Sequence, residues 1–228
     1  MKFIAKISVL KNIITKFPGR LRRLLLHFTF IFPFVSYKLP ACPSGFFEWF
    51  LDLMAYVNDL IGFTDILHTT HLFMKKSFRK LTNEECVQMF EIFRNSVDYS
   101  QVWIDPSSRI GLSKLARAYV LFNTINYQRE IDFPTLAHEM MHIWQYQNYG
   151  SMYLGRALRA QYLLNPYDFG GVQNLYTHMI EGKKMADYNF EQQGAIIEHL
   201  VMAREEQYSH PILSAVSVYY LSQLIDIP

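Results

Sequence analysis

Cysteine is scarce: Cys42 and Cys86 are the only two in 228 residues, and neither belongs to a CxxC pair. That excludes a disulfide framework and a thiolate metal site, and leaves two thiols read as buried, with a Cys42–Cys86 bridge as the alternative. Long hydrophobic runs are missing as well. The longest, Leu24–Val35, has about a dozen residues and is broken by His27, Thr29 and Pro33. It is too short to span a bilayer as a helix; its length suits a signal-peptide core or a buried segment, though no small-x-small cleavage site follows. There is no RNP-like motif, zinc-finger spacing or glycine-rich phosphate loop. The formal charge is only +2, from 22 basic and 20 acidic residues. Nucleic acid is therefore not an expected partner. Acid is absent from residues 1–23, which hold Lys2, Lys6, Lys11, Lys16, Arg20, Arg22 and Arg23.

What is present is apolar and aromatic. Half the residues are hydrophobic, with 18 Phe, 15 Tyr and 3 Trp, enough for one sizeable core. The basic and apolar segment 1–44 is set apart from a domain spanning 45–228. Export or anchoring, docking on a membrane surface or a partner, and plain packing are its three readings. Between Gly45 and Phe63, Phe46, Trp49, Phe50, Leu53, Val57, Leu60 and Ile61 recur at helical spacing. Thr82 with Glu85 forms a capping box that opens a second helix. Residues 101–105, 117–122 and 124–128 predict short strands around turns at Pro106–Ser108 and Asn123. Helical patterns follow over roughly 133–148, 152–164, 189–207 and 212–225. The expected fold is α+β, mostly helical, with a small few-stranded sheet. No internal repeat or low-complexity tract interrupts it.

The informative stretch is Leu136-Ala137-His138-Glu139-Met140-Met141-His142-Ile143-Trp144-Gln145. His138 and His142 stand at i and i+4, so on a helix both imidazoles project from one face toward one ion. Glu139 lies about 100° around the helix and can reach a metal-activated water without binding the metal itself. Zinc lowers the pKa of such a water toward about 7, and a carboxylate can then take its proton. The apolar flanks place the helix in the interior, where two histidines and a glutamate without a partner would be costly. An open catalytic zinc site needs a third protein ligand. The extended HExxHxxGxxH pattern is absent, since Gln145 and Asn148 occupy its glycine and last histidine positions. Glu191, at the start of the 189–207 helix, is the leading candidate, with the small Gly194 and Ala195 permitting close approach. Glu198, Asp187 and His178 are its rivals. Arg109, Tyr146, Tyr176, Tyr188 and His178 are candidates for stabilising an oxyanion. His68 and His71, at i and i+3 without cysteines nearby, read as ordinary surface or core residues.

The run His138–Gln147, followed about fifty residues on by Asn189-Phe190-Glu191-Gln192-Gln193-Gly194-Ala195, resembles the zinc metallopeptidase effector domains of bacterial type VI secretion systems. Those domains are fused to, or encoded beside, Vgr-type spike and Rhs proteins. The resemblance covers about residues 100–200 and includes Asp105–Gly111. It implies a zincin-like fold and a gluzincin-like site, with one zinc ion on His138, His142 and Glu191 and with Glu139 catalytic. It also implies a toxin acting on protein or peptide in a rival's periplasm, with a secretion spike or an immunity protein as partner. The chain departs from the pattern at Gly194, where the family usually has alanine, and it carries no fused spike domain. Residues 1–80 show no resemblance.

The function expected on these grounds is zinc-dependent hydrolysis of peptide or amide bonds. The alternatives are a non-catalytic zinc-binding adaptor and a membrane-active toxin working through residues 1–63. A fourth protein ligand on the metal would favour the adaptor, and vesicle leakage by the N-terminal region would favour the toxin.

Overall fold

A computed structural model describes residues 2–31, 43–74, 77–107, 118–128, 130–162, 165–205 and 211–225. The described residues form nine α-helices: α1 (Lys2–Phe28), α2 (Phe46–Leu60), α3 (Phe63–Met74), α4 (Asn83–Phe93), α5 (Phe133–Tyr149), α6 (Met152–Gln161), α7 (Gly171–Ile180), α8 (Phe190–Glu205) and α9 (Pro211–Ser222). Three strands, β1 (Trp103–Asp105), β2 (Ala118–Leu121) and β3 (Thr124–Tyr127), make one sheet in the order β1-β3-β2. β1 runs parallel to β3, and β2 antiparallel to it. The fold is the α+β, mostly helical class with a small sheet that the sequence predicts. Cys42, Arg109, Phe32–Val35 and most of the 105–111 stretch lie outside the described residues.

Local chemistry explains most boundaries. The Thr82 side chain accepts from the Glu85 amide, and Glu85 accepts from the Thr82 amide, so the capping box that opens α4 is complete. Asp132 caps α5 by accepting from the Thr135 amide at 2.9 Å. The β2–β3 hairpin turns through Phe122 and Asn123, with Phe122 at φ 57°, a conformation glycine usually supplies. Burial of the Phe122 ring against His68 and Tyr146, each 5.8 Å away, holds it there. The helical pattern expected over 45–63 is α2, which ends at Leu60 ahead of Gly62 at φ +75°. A Cβ on Gly62 would lie 2.5 Å from Ile13 of α1.

Three helices went unpredicted. α1 runs from the basic start into the apolar run and carries Pro18 within it. α3 holds His68 and His71, and α7 begins at Gly171, with Gly170 at φ 82° as its N-cap. α1 lies against α2 and α3. Arg20 pairs with Asp65 of α3 at 2.7 Å with both side chains buried, and His27 donates to the Trp49 carbonyl of α2 at 2.9 Å. His68 meets the Thr124 hydroxyl at 3.2 Å, and the His71 ring packs on Phe78.

Everything converges on α5. Nearly all of it, from Pro134 to Tyr146, is buried, with β2 and β3 on one side and α8 on another. α5 and α8 make the most extensive helix–helix contact among the described residues. Ile143, Met140 and Met141 of α5 and Ile196 and Ile197 of α8 are fully buried there. A helix enclosed on several sides can be apolar almost all round, and its few polar side chains must find partners inside.

Candidate metal centre

α5 delivers His138, Glu139 and His142 from about one turn of helix, and α8 delivers Glu191 from its first turn. The facing atoms are His138 Nε2, His142 Nε2 and the two Glu191 oxygens. His138 Nε2 is 3.8 Å from Glu191 Oε2, and His142 Nε2 is 3.7 Å from Glu191 Oε1. These gaps are too long for hydrogen bonds. One ligand atom from each residue lies within 4.8 Å of the others, and all three side chains are buried. The group can hold a metal ion.

The other imidazole nitrogens are tied down. His138 Nδ1 donates to Glu198 Oε2 at 3.0 Å, and His142 Nδ1 donates to Gln145 Oε1 at 2.8 Å. With a metal bound, each bond would keep the proton on Nδ1 and leave Nε2 to the ion. Gln145 is fully buried, and its amide donates to the Phe190 carbonyl and to Gln193 Oε1. Gln193 in turn donates to the Tyr188 carbonyl. The chain His142–Gln145–Gln193 thus locks the two helices in one register. On the far side, Gln161 of α6 donates to Glu191 Oε1 at 3.2 Å.

Gly194 makes the approach possible. A Cβ there would stand 2.6 Å from His138 Nε2 and 2.8 Å from two of its ring carbons. The alanine usual at this position in the resembled family has no room in this packing.

The electrostatics suit a cation. Burial disfavours an imidazolium at His138, but the Glu191 and Glu198 carboxylates outweigh it and raise the group to about 10. His142 is raised too: burial opposes it, and Glu191 prevails. Burial would raise Glu191, yet both histidines hold it far below the usual carboxylate range. Glu139 goes the other way, raised because burial prevails over the pull of His142 and His138. Its Oε2 is buried with no hydrogen-bond partner. An unpartnered carboxylate oxygen beside three converging donor atoms is what a bound cation and its water would satisfy.

Among the rivals for the third position, Glu198 binds the back of His138. Asp187 accepts from the Lys184 amide, and His178 shares a hydrogen bond with the Tyr188 hydroxyl; neither joins the group. Of the oxyanion candidates, Tyr146 packs against Phe122 and Tyr153, Tyr188 bonds Tyr220, and Tyr176 lies against the core. Two tyrosines outside that set stand near the imidazoles: Tyr153, buried 6.3 Å from His142 with its hydroxyl donating to the Val120 carbonyl, and Tyr167. Tyr167 stands with its ring 6.0 Å from His138 and about half exposed. Burial and the Glu191 and Glu139 charges raise its phenol to about 12, so it is a proton donor at neutral pH. Asn165, at φ 54°, turns the chain that presents it. Glu198 is also partly exposed, and Gln161 beside Glu191 is exposed. The chain matches no protein-family profile, no curated protein and no solved structure.

Proposed function

We propose that this protein is a zinc-dependent peptidase or amidase whose metal is held by His138, His142 and Glu191 and whose general base is Glu139. The observation that carries this reading is the pairing of three converging donor atoms with a buried carboxylate that has no partner of its own. Two neutral nitrogens and one carboxylate favour zinc, leave one position open, and halve the ion's charge. When bound, zinc supplies Lewis-acid polarisation of a carbonyl and acidifies water. The raised Glu139 carboxyl takes the proton of the attacking water and returns it to the leaving amine. Tyr167 is placed to donate a hydrogen bond to the developing oxyanion. Glu198 and Gln145 hold the imidazoles in orientation.

The resemblance to type VI secretion effectors extends the proposal to a toxin that cuts protein or peptide in a rival's periplasm, with an immunity protein as its natural antagonist. Metal analysis of the purified protein together with a peptide-library digest tests the chemistry. Glu139→Gln should keep one zinc per chain and lose hydrolysis by about 10²–10⁴-fold. A variant with near-native turnover would overturn the assignment. Toxicity on periplasmic targeting, little in the cytoplasm and none for Glu139→Gln, tests the biological role.

A further inference from the structure

The helices α2 and α3 are inside out. The residues α2 buries are Glu48, Asp52, Tyr56 and Asp59, and those α3 buries are Thr64 and Asp65. Each of the four acids has a partner inward. Glu48 pairs with Arg156 and Arg159, and Asp52 with Arg156. Asp59 accepts from Thr64 and from the Ser151 amide, and Asp65 pairs with Arg20. The outward stripe of α2 is Phe46, Phe47, Phe50, Leu51 and Met54. That of α3 is Phe63, Ile66, Leu67, Phe73 and Met74, interrupted only by Thr70. Phe46, Phe47 and Met74 are each more than 70% exposed, at 79%, 74% and 77%. α1 packs on both helices and shows Ile14, Phe17, Leu25 and Phe28 outward beside Arg22.

A surface of this kind is not left to water. The charge on it selects the occupant. Residues 1–74 hold eight Lys and Arg against four Asp and Glu, a formal +4, while the remaining residues sum to −2. All four of those acids are turned inward, Arg20 is turned inward with Asp65, and Arg22 is exposed. A second copy would bring together two segments that each carry a formal +4. A specific protein partner needs hydrogen-bonding groups at the interface, and the α2–α3 stripes offer Thr70 alone. A lipid surface needs none, and an anionic one neutralises the basic side chains. α2 and α3 have 15 and 12 residues, so they reach about 22 and 18 Å, short of the roughly 30 Å hydrocarbon core. No helix among the described residues is long and apolar enough to cross a membrane.

We propose that α1–α3 form a membrane-docking face that lies in one leaflet of an anionic phospholipid bilayer, with α2 and α3 in the acyl boundary and the exposed Arg22 of α1 among the headgroups. The test is flotation of the full-length protein with vesicles of phosphatidylcholine alone or mixed with phosphatidylglycerol, at low and high salt. The chain should float with the mixed vesicles, at least tenfold more tightly than with neutral ones, and salt should weaken the preference. Phe46→Ser combined with Phe47→Ser and Phe50→Ser should weaken binding at least tenfold, since these exposed rings support no core. Arg22→Glu should lower binding to the mixed vesicles and leave neutral binding unchanged. Glu139→Gln should float like the parent, because docking does not involve the metal centre. Three results would overturn the proposal: no flotation with mixed vesicles at low salt, unchanged binding by the triple variant, or a triple variant that only converts a dimer to a monomer.

Discussion

Replacing Gly194 by alanine adds one methyl group at the closest point between α5 and α8. The new carbon would sit 2.6 Å from His138 Nε2, whereas ordinary contact begins at 3.4 Å, so about 0.8 Å must be found. The ring cannot swing away freely, because Nδ1 is bonded to Glu198 at 3.0 Å and its backbone lies in the fully enclosed α5. Metal–ligand distances tolerate only about 0.2 Å. The displacement is therefore several times what the centre can absorb, and zinc affinity should fall by about 100-fold. Overpacking costs about 1–3 kcal/mol, offset by the roughly 0.5–1 kcal/mol that alanine gains over glycine within a helix. The melting temperature should drop by a few degrees. Gly155, within α6, is the control, since a Cβ there meets nothing within 4 Å. Gly155→Ala should raise the melting temperature slightly and leave zinc binding alone. Competition against a chromophoric chelator gives the affinity, and a thermal melt gives the stability. Native affinity in Gly194→Ala would refute the geometry of the whole centre, because the methyl group and the metal claim the same nitrogen.

Other outcomes follow from the same contacts. Glu191→Ala should weaken zinc by orders of magnitude, and Glu198→Ala by about 10–100-fold, since one faces both imidazole Nε2 atoms and the other orients His138 from behind; equal losses in the chelator assay would contradict this. Arg20→Met should cost about 3–5 kcal/mol in denaturant unfolding by leaving Asp65 buried and unpaired, with much of the loss recovered in combination with Asp65→Asn. His68 is held down to about 4, mainly by burial, so the folded state stays neutral while the unfolded chain protonates near pH 6.5. Stability should then fall as pH drops from about 6.5 to 4, by up to about 3 kcal/mol, and His68→Gln should flatten that slope. An unchanged slope in the variant would place the titration elsewhere.

The elements that were legible in the sequence are those whose signal is local. α4 announces itself by Thr82 and Glu85, whose side chains cap its first turn without help from elsewhere. The α5 helix is set by Asp132 at its start and by His138 and His142 at one-turn spacing, and the β2–β3 hairpin by alternation around Phe122-Asn123. Inside-out helices mislead a periodicity argument. α3 hides Asp65 and shows Phe73 and Met74, so its stripes carry the opposite meaning from those of a core helix. The place of α1 has no local signal either, because the pairing of Arg20 with Asp65 spans 45 positions.

At the candidate site, sequence alone determined the two imidazoles and the carboxylate between them, since a helix of 3.6 residues per turn puts them on adjoining faces whatever surrounds it. It also narrowed the third position to a few carboxylates and a histidine. Which of these arrives depends on how α8 lies across α5, and that is decided by Gly194, by the Gln145–Gln193 bond and by the apolar contacts of Ile196 and Ile197. The tertiary structure alone turned Gln145 from a mismatch with a longer motif into the partner of His142, and brought Tyr167 from a loop to the His138 ring. Such contacts join side chains far apart in the chain, and only the packed arrangement of α5, α6 and α8 brings them within bonding distance.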